Sequence, residues 1–119
     1  MRKIRMSSLA RQDLRGILEW SAERFGEDAM SRYKALIGTA LRDLAADPDQ
    51  PGCRPRPDLG QGKRSWHLRL SRDRVRGDRV LSPRHIILYR SDDDTVFVVG
   101  IVHESMDIAR RSEPGSGEL

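Results

Sequence analysis

Residues 85–103 of the chain read HIILYRSDDDTVFVVGIVH, and this stretch decides the fold. Its two outer runs, residues 85–90 and 96–103, are almost continuously apolar, as strands covered on both faces would be. The segment 91–94 between them is polar and consists of Ser and Asp, which favour turns. The pattern predicts a β-hairpin formed by two central strands of a sheet.

Two further stretches have the alternation of a strand with one buried face. In residues 65–70, the side chains predicted to point inward are Trp66, Leu68 and Leu70. Residues 2–6 (RKIRM) alternate basic and apolar side chains, which suits a short edge strand. The sheet is therefore predicted to contain two more strands. Residues 2–6 form an edge strand, and residues 65–70 form a strand beside the hairpin.

Two helices are predicted between the edge strand and the rest of the sheet. The first follows an N-cap offered by Ser7 or Ser8 and stops at Gly26. The second covers residues 27–46 and ends before Pro48. Since only one or two residues link them, the helices must form an antiparallel hairpin. The apolar stripes are Ala10, Leu14, Ile17, Leu18, Ser21 and Phe25 in the first helix, and Met30, Tyr33, Ile37, Ala40, Leu41 and Leu44 in the second.

The element order β-α-α-β-β-β indicates an α+β fold, in which an N-terminal edge strand and an antiparallel two-helix hairpin pack on a small antiparallel β-sheet. We expect one domain over residues 1–111, followed by a disordered tail over residues 112–119 (SEPGSGEL). Apolar residues make up 37% of the chain and charged residues 34%, so the core must be modest. Neither a signal-peptide pattern nor a run of about 18 apolar residues occurs, so a cytoplasmic location is expected.

Positive charge is concentrated in the second half of the chain. Residues 54–90 contain 11 Lys or Arg and 3 Asp, whereas the rest of the chain carries 11 basic and 15 acidic residues. This asymmetry favours an anionic partner, either nucleic acid or an acidic protein segment, although a merely solubilising surface fits the charge equally well. Residues 71–84 are a basic connection longer than a hairpin needs, which predicts either a functional finger or partial disorder.

The residues that could carry chemistry form no diagnostic pattern. The three histidines, His67, His85 and His103, lie at or near strand ends without metal-ligand spacing, and the single Cys53 excludes an all-cysteine site. We therefore expect neither a metal nor another cofactor. Metal-free RNA cleavage needs a base, an acid and cations for the transition state. The candidates for these roles, should the chain be a nuclease, are His103, Arg84, Tyr89 and Arg64; otherwise no catalytic residue is expected.

Five segments, taken in order, resemble the ParE branch of the RelE/ParE toxin superfamily. They are LARQDLRGILEWSAERFG, AMSRYKALIGTALRDLAADP, KRSWHLRLSR, SPRHIILYR and IVHESMD, and they extend the resemblance over about residues 4–110. The resemblance implies the superfamily fold, a helical hairpin on a small antiparallel sheet. It also implies the toxin of a type II toxin–antitoxin module, with plasmid stabilisation as a setting and a ParD-like antitoxin as its inhibitor.

Members of this superfamily differ in their targets, since ParE-like toxins poison DNA gyrase whereas RelE-like relatives cut mRNA on the ribosome. The long helical hairpin favours the ParE branch, and Lys63 is the only lysine after the helices, unlike the lysine group of RelE-type nucleases. His103 lies near the strand end where some RelE relatives carry a catalytic residue; alternatively, it closes the strand by hydrogen-bonding the next turn. Three hypotheses remain: a gyrase inhibitor, an endoribonuclease, and a non-toxic relative that only binds antitoxin.

Antitoxin binding is expected to combine apolar anchors in a groove beside the helical hairpin with acidic residues against the basic half of the chain. Trp20 and Leu36 are the predicted apolar contacts, because each lies off the main apolar face of its helix. The predicted electrostatic contacts are Arg69, Arg84 and Arg90. The gyrase-binding surface is left open by the sequence.

Overall fold

The computed structural model of the chain describes residues 1–106, so the predicted domain end at residue 111 and the tail at 112–119 lie outside it. Its elements are β1 (Lys3–Met6), α1 (Ser8–Phe25), α2 (Glu27–Ala46), β2 (Arg54–Pro55), β3 (Arg64–His67), β4 (His85–Ser91) and β5 (Thr95–His103), with 3₁₀ segments at Pro57–Leu59 and Leu68–Arg74. β2, of two residues, lies where no strand was predicted. In the part of the chain described, neither helix is both long and apolar enough to cross a membrane.

The β4–β5 hairpin lies inside one five-stranded sheet with the order β1-β5-β4-β3-β2. β4 and β5 pair antiparallel from His85↔His103 to Ser91↔Val96, which confirms the predicted hairpin. β1 is an edge strand, also as predicted, but it pairs with β5 in parallel. A parallel pair requires a long connection, and here both helices and three strands lie between its two members.

The helical hairpin begins and turns at the predicted residues. Ser7 is the N-cap of α1, since its Oγ accepts a hydrogen bond of 3.0 Å from the backbone N–H of Ala10. Gly26 separates the helices with a φ of 91°, a conformation that any side chain disfavours. Both helices pack on one face of the sheet through a shared core. Its buried members include Ala10, Leu36, Ile37, Ala40 and Leu44 of the helices and Trp66, Ile87, Tyr89, Val96, Val98 and Ile101 of the sheet.

Two side chains differ from the predicted helix faces. Leu36, predicted to be an exposed anchor, is 0% exposed and lies in the core. α2 packs against both α1 and the Leu68–Arg74 segment, so a wider face of it is buried than the single stripe indicated. Phe25, predicted to face the core, is 65% exposed at the end of α1 and contacts Trp20 instead.

The opposite face of the sheet carries a second, smaller core. Leu88 of β4 and Val102 of β5 are buried there together with Leu59 from the Pro57–Leu59 segment. Ile86 and Val99 pack against this cluster while remaining partly accessible. Cover on both faces explains why the central strands are almost continuously apolar.

The third predicted strand is shorter than its alternation indicated. β3 ends at His67, whose Nδ1 accepts a hydrogen bond of 3.1 Å from the backbone N–H of Arg69. The chain then turns into the 3₁₀ segment Leu68–Arg74. The prediction of a strand over residues 65–70 is therefore wrong from residue 68 onward, because a local side-chain cap outweighs the strand pattern.

The basic insert, residues 71–84, is anchored at its start. The Ser71 hydroxyl accepts a hydrogen bond of 3.0 Å from Trp66 Nε1 and donates one of 2.6 Å to Asp43 Oδ2. Val75 is buried and packs in the main core. The insert therefore begins as packed structure, so the alternative of disorder is wrong for this part, while a functional role of the insert stays a prediction.

Candidate functional site

Two histidines meet at the end of the β4–β5 hairpin. His85 begins β4 and His103 ends β5, and the antiparallel register makes them direct partners. Their imidazole rings are nearly perpendicular, with centroids 5.3 Å apart. Tyr33 of α2 completes the cluster, with its ring centroid 5.4 Å from that of His85. The sheet register and the packing of α2 thus bring together two imidazoles and a phenol, groups that can each donate and accept hydrogen bonds.

His85 is held in its neutral form. Its Nδ1 lies 2.5 Å from Tyr33 Oη. Burial, with a smaller contribution from the neighbouring His103, lowers the pKa of His85 from 6.5 to about 4. Tyr33 and the neutral imidazole share this hydrogen bond, and burial raises the pKa of Tyr33 to about 12. At neutral pH the pair is an uncharged donor and acceptor.

Glu104, the residue after His103, carries the negative charge of the site. Its two carboxylate oxygens accept hydrogen bonds of 2.7 Å from His67 Nε2 and from Arg84 Nη1. His67 can donate at Nε2 because its Nδ1 is occupied as an acceptor. The hydrogen bond from His67, followed by that from Arg84, lowers the pKa of Glu104 to about 2. The Arg84 guanidinium is thus already paired with a carboxylate.

His103 lines a groove between α1 and the end of the hairpin. Its Nδ1 accepts a hydrogen bond of 3.1 Å from the Ser105 N–H and lies 2.8 Å from the Ser105 hydroxyl, as expected for a histidine that closes the strand onto the next turn. The groove has a volume of about 390 Å³. Its walls are Gln12, Asp13, Gly16, Ile17 and Trp20 on the helix side, and His85, Ile101, Val102, His103 and Met106 on the strand side.

Large apolar side chains at and beside the groove are exposed. Trp20 is 50% and Met106 43% exposed, and both belong to the groove walls. Phe25 meets the Trp20 ring edge-on at 5.5 Å between centroids, and the Arg24 guanidinium lies 5.6 Å from the Trp20 ring centre. An apolar surface of this kind, bordered by polar groups, is typical of a site where a partner binds.

The four nuclease candidates do not meet in one place. His103 and Arg84 lie near the histidine cluster, but Tyr89 is four residues from His85 along β4, roughly 13 Å away at the rise of a strand. Tyr89 is fully buried, its hydroxyl donates to the Pro48 carbonyl at 2.7 Å, and burial raises its pKa. Arg64 lies over the Tyr89 ring and is ion-paired with Asp49, away from His103. Among residues 1–106, no three His, Cys, Asp or Glu side chains are placed to hold a metal ion.

The predicted antitoxin contacts lie on separate surfaces. Trp20 lines the groove, whereas Arg69 is exposed on the Leu68–Arg74 segment. Arg90 is exposed on the face of the sheet opposite the helices, with its guanidinium 4.3 Å from the Phe97 ring centre. Leu36 is buried and offers no surface to a partner. Arg84 is exposed but joined to Glu104, so a partner carboxylate would have to compete for it.

Two residues of the cluster, Tyr33 and Glu104, were not singled out from the sequence. Tyr33 was interpreted as part of the apolar stripe of α2, yet a tyrosine among aliphatic residues is itself a signal, because a buried phenol needs a hydrogen-bond partner. Asp13 likewise has a role that no local pattern indicated. Its Oδ2 accepts a hydrogen bond of 3.0 Å from the Ile101 N–H, beside the irregular register between β4 and β5.

Comparison with known proteins identifies the family of this fold. The sequence model of the ParE toxin of the type II toxin–antitoxin system parDE matches residues 4–108. The chain belongs to the ParE toxin family. This confirms the resemblance drawn from the five sequence segments. None of the curated proteins matches the chain significantly.

Solved structures confirm the ParE-type fold of the chain. A structure of the chromosomal ParDE toxin–antitoxin system from P. aeruginosa is similar with a TM-score of 0.62 and 14% identity, covering 87% of this chain and 96% of that one. The structure of YafQ from E. coli strain BL21(DE3) is similar with a TM-score of 0.50 and 17% identity, covering 88% of this chain and 96% of that one. Both have an α+β fold, the class predicted from the element order.

Proposed function

We propose that this ParE-family toxin inhibits DNA gyrase in the cytoplasm, thereby blocking replication, and that a ParD-like antitoxin neutralises it. The family match over residues 4–108 carries the proposal, because it makes the chain a type II toxin of the parDE kind. A gyrase inhibitor acts by binding and needs no catalytic constellation. The separation of Tyr89 and Arg64 from His103 is compatible with such a non-catalytic role.

A supercoiling assay tests the gyrase proposal. Purified toxin, added in excess to gyrase and relaxed plasmid, is expected to reduce supercoiling or to trap cleaved DNA. Toxin mixed beforehand with its antitoxin serves as the matched control and should restore supercoiling. Full supercoiling at toxin excess would exclude gyrase as the target.

We assign the antitoxin's apolar anchors to the groove beside α1. The exposed Trp20 and Met106 offer apolar area there, and the groove is lined by α1 on one side, where an amphipathic segment can lie. Arg69 and Arg90 remain proposed contacts for acidic antitoxin residues, because both are exposed and neither forms an ion pair within residues 1–106. A double-mutant cycle between Arg90 and an antitoxin carboxylate should show coupling, and its absence would remove the electrostatic part of the proposal.

An mRNA endoribonuclease is the second candidate function. The observation that favours it is the groove position of His103 beside neutral His85, which Tyr33 holds by a hydrogen bond. Such a pair could move a proton to or from a 2′-hydroxyl or a leaving oxygen. Primer extension on mRNA after toxin induction would reveal discrete cuts, and His103→Ala should abolish them while its circular dichroism spectrum stays that of the folded wild type. Intact mRNA during growth arrest would exclude this function.

Growth measurements separate both active functions from a non-toxic relative. Expression without antitoxin should arrest growth if the chain is toxic, and co-expression of the antitoxin should restore growth. Unimpaired growth at a verified protein level would leave antitoxin binding as the remaining role. The test is independent of whether gyrase or mRNA is the target.

A further inference from the structure

Apart from the groove beside α1, the surface has a hollow where the basic insert packs against α2. It has a volume of about 420 Å³, and we call it the arginine hollow. Its lining consists of Ala35, Thr39, Arg42, Asp43, Arg74, Val75 and Arg76. The gyrase and antitoxin proposals use none of these residues.

The base of the arginine hollow is held by packing and hydrogen bonds. Asp43 Oδ2 accepts from the Ser71 hydroxyl and, at 3.1 Å, from Arg74 Nη1. Val75 is buried in the main core and ties the insert to the sheet. The arginines therefore project from fixed backbone, which reduces the entropy lost when they bind a ligand.

Positive charge in the arginine hollow exceeds negative charge. Its single carboxylate, Asp43, is already engaged by Ser71 and Arg74. Arg42 donates to the Thr39 hydroxyl at 3.2 Å, and within residues 1–106 neither it nor Arg76 contacts a carboxylate. Next to Arg74 along the insert, the Asp73 carboxylate forms ion pairs with two more arginines, Arg72 and Arg79.

We propose that the arginine hollow binds the phosphate backbone of double-stranded DNA. Guanidinium groups that share one surface and lack a carboxylate partner suit phosphate oxygens, and binding through phosphates alone needs no base contact. The proposal goes beyond gyrase inhibition, because it concerns the free toxin and DNA without any enzyme.

Other anions fit the arginine hollow less well. An acidic protein segment usually adds apolar anchors, but the lining contains no large exposed apolar residue. Single-stranded nucleic acid is bound by stacking on aromatic side chains, and the lining contains none. Recognition of RNA uses groups that bond the 2′-hydroxyl, whereas the Thr39 hydroxyl is already bonded to Ala35 and Arg42.

Fluorescence anisotropy with the purified full chain tests the proposal. The probe is a labelled mixed-sequence DNA duplex of about 20 base pairs, titrated between about 50 and 200 mM salt. The wild type should bind it, with log K falling linearly against log salt. In the double variant Arg42→Gln/Arg76→Gln the slope should become shallower by about two, roughly one for each lost phosphate contact. The matched control, Arg11→Gln/Arg15→Gln, removes two exposed arginines of α1 and should leave the slope unchanged.

Several results would overturn the proposal. The first two are a lack of duplex binding at the lowest salt and an equal change of slope in the hollow and control variants. A third is tighter binding of an RNA duplex of the same sequence than of the DNA duplex. The fourth is a loss of poly-glutamate binding in the hollow variant that is as large as its loss of DNA binding. Arg76→Gln alone should shift the slope by about one, and this single variant replaces the double variant in the test if the latter misfolds. Since gyrase is absent from this assay, its outcome is separate from that of the supercoiling test.

Discussion

Tyr33 Oη of α2 and His85 Nδ1 of β4 lie 2.5 Å apart, so a single hydrogen bond joins the helical hairpin to the end of the central strands. The same phenol oxygen accepts a hydrogen bond of 3.3 Å from the Arg84 N–H, the residue at which the basic insert ends. Tyr33 therefore holds three parts of the fold together: α2, the insert and the hairpin. This junction borders the groove proposed for the antitoxin.

Stability should fall in mild acid because of His85. Its pKa is about 4 in the folded chain and about 6.5 when unfolded, so the unfolded chain takes up the proton first. The contribution of neutral His85 is thus fully present above pH 6.5 and is lost as the pH falls toward 4. Chemical denaturation at a series of pH values measures this loss. His85→Gln should show a flatter profile over this range, and an unchanged profile would contradict the assignment.

Leu36 should behave as a core residue and not as a surface anchor. Leu36→Ala is expected to lower the free energy of unfolding by about 2–5 kcal/mol, because the cavity it leaves lies in the main core. The matched control is Leu81→Ala, since Leu81 is 80% exposed and should change stability by less than about 0.5 kcal/mol. Urea denaturation of both variants gives the comparison, and equal effects would contradict the burial of Leu36.

The N-cap of α1 should be measurable with two adjacent serines. Ser7→Ala removes the acceptor for the Ala10 N–H and is expected to cost about 1 kcal/mol of stability. Ser8→Ala removes a hydroxyl from the first turn of the helix without removing the cap and should be nearly neutral. Thermal denaturation distinguishes the variants. A larger loss of stability for Ser8→Ala than for Ser7→Ala would show that Ser7 is not the N-cap.

Asp13 should stabilise the irregular register of the central hairpin. Asp13→Ala leaves the Ile101 N–H without its acceptor and is expected to cost about 1–3 kcal/mol. Asp93→Ala, in the exposed β4–β5 turn, removes the same charge and serves as the control. Amide hydrogen exchange at Ile101 should accelerate only in the Asp13 variant.

Trp20 should contribute to antitoxin binding more than to folding. Because its side chain is half exposed at the groove, Trp20→Ala is expected to weaken antitoxin binding by about 2 kcal/mol, or roughly 30-fold in Kd, as for an aromatic hot spot. Isothermal titration calorimetry measures the change. Leu81→Ala, outside the groove, should bind like the wild type, and unaltered binding by Trp20→Ala would exclude the groove as the anchor site.

Local patterns were sufficient for most of the fold. The two apolar runs and the turn residues of 85–103 predicted the hairpin, and Ser7 and Gly26 predicted the limits of α1, because capping and turn geometry depend on neighbouring residues alone. They were insufficient at residues 65–70, where the alternation continues but His67 caps a 3₁₀ turn. Order at the start of the insert was likewise not predicted, since the contact of Ser71 with Asp43 joins residues 28 positions apart in the sequence.

The candidate site depended more strongly on tertiary structure. Each of the histidines could be placed at or near a strand end from the sequence, but only the register makes His85 and His103 partners, and only helix packing brings Tyr33 to them. The same packing buries Leu36, because α2 is covered on two sides.

By itself, the sequence determined the ParE family, the order of the elements and the basic character of the second half, since these depend on motifs, periodicity and charge along the chain. Tertiary structure decided which of those charges are balanced. Arg84 is paired with Glu104 and Arg64 with Asp49, whereas Arg42 and Arg76 face the arginine hollow without a carboxylate partner among the described residues. The physical reason is that an ion pair depends on distance in space, and the members of these two pairs lie in separate segments of the chain.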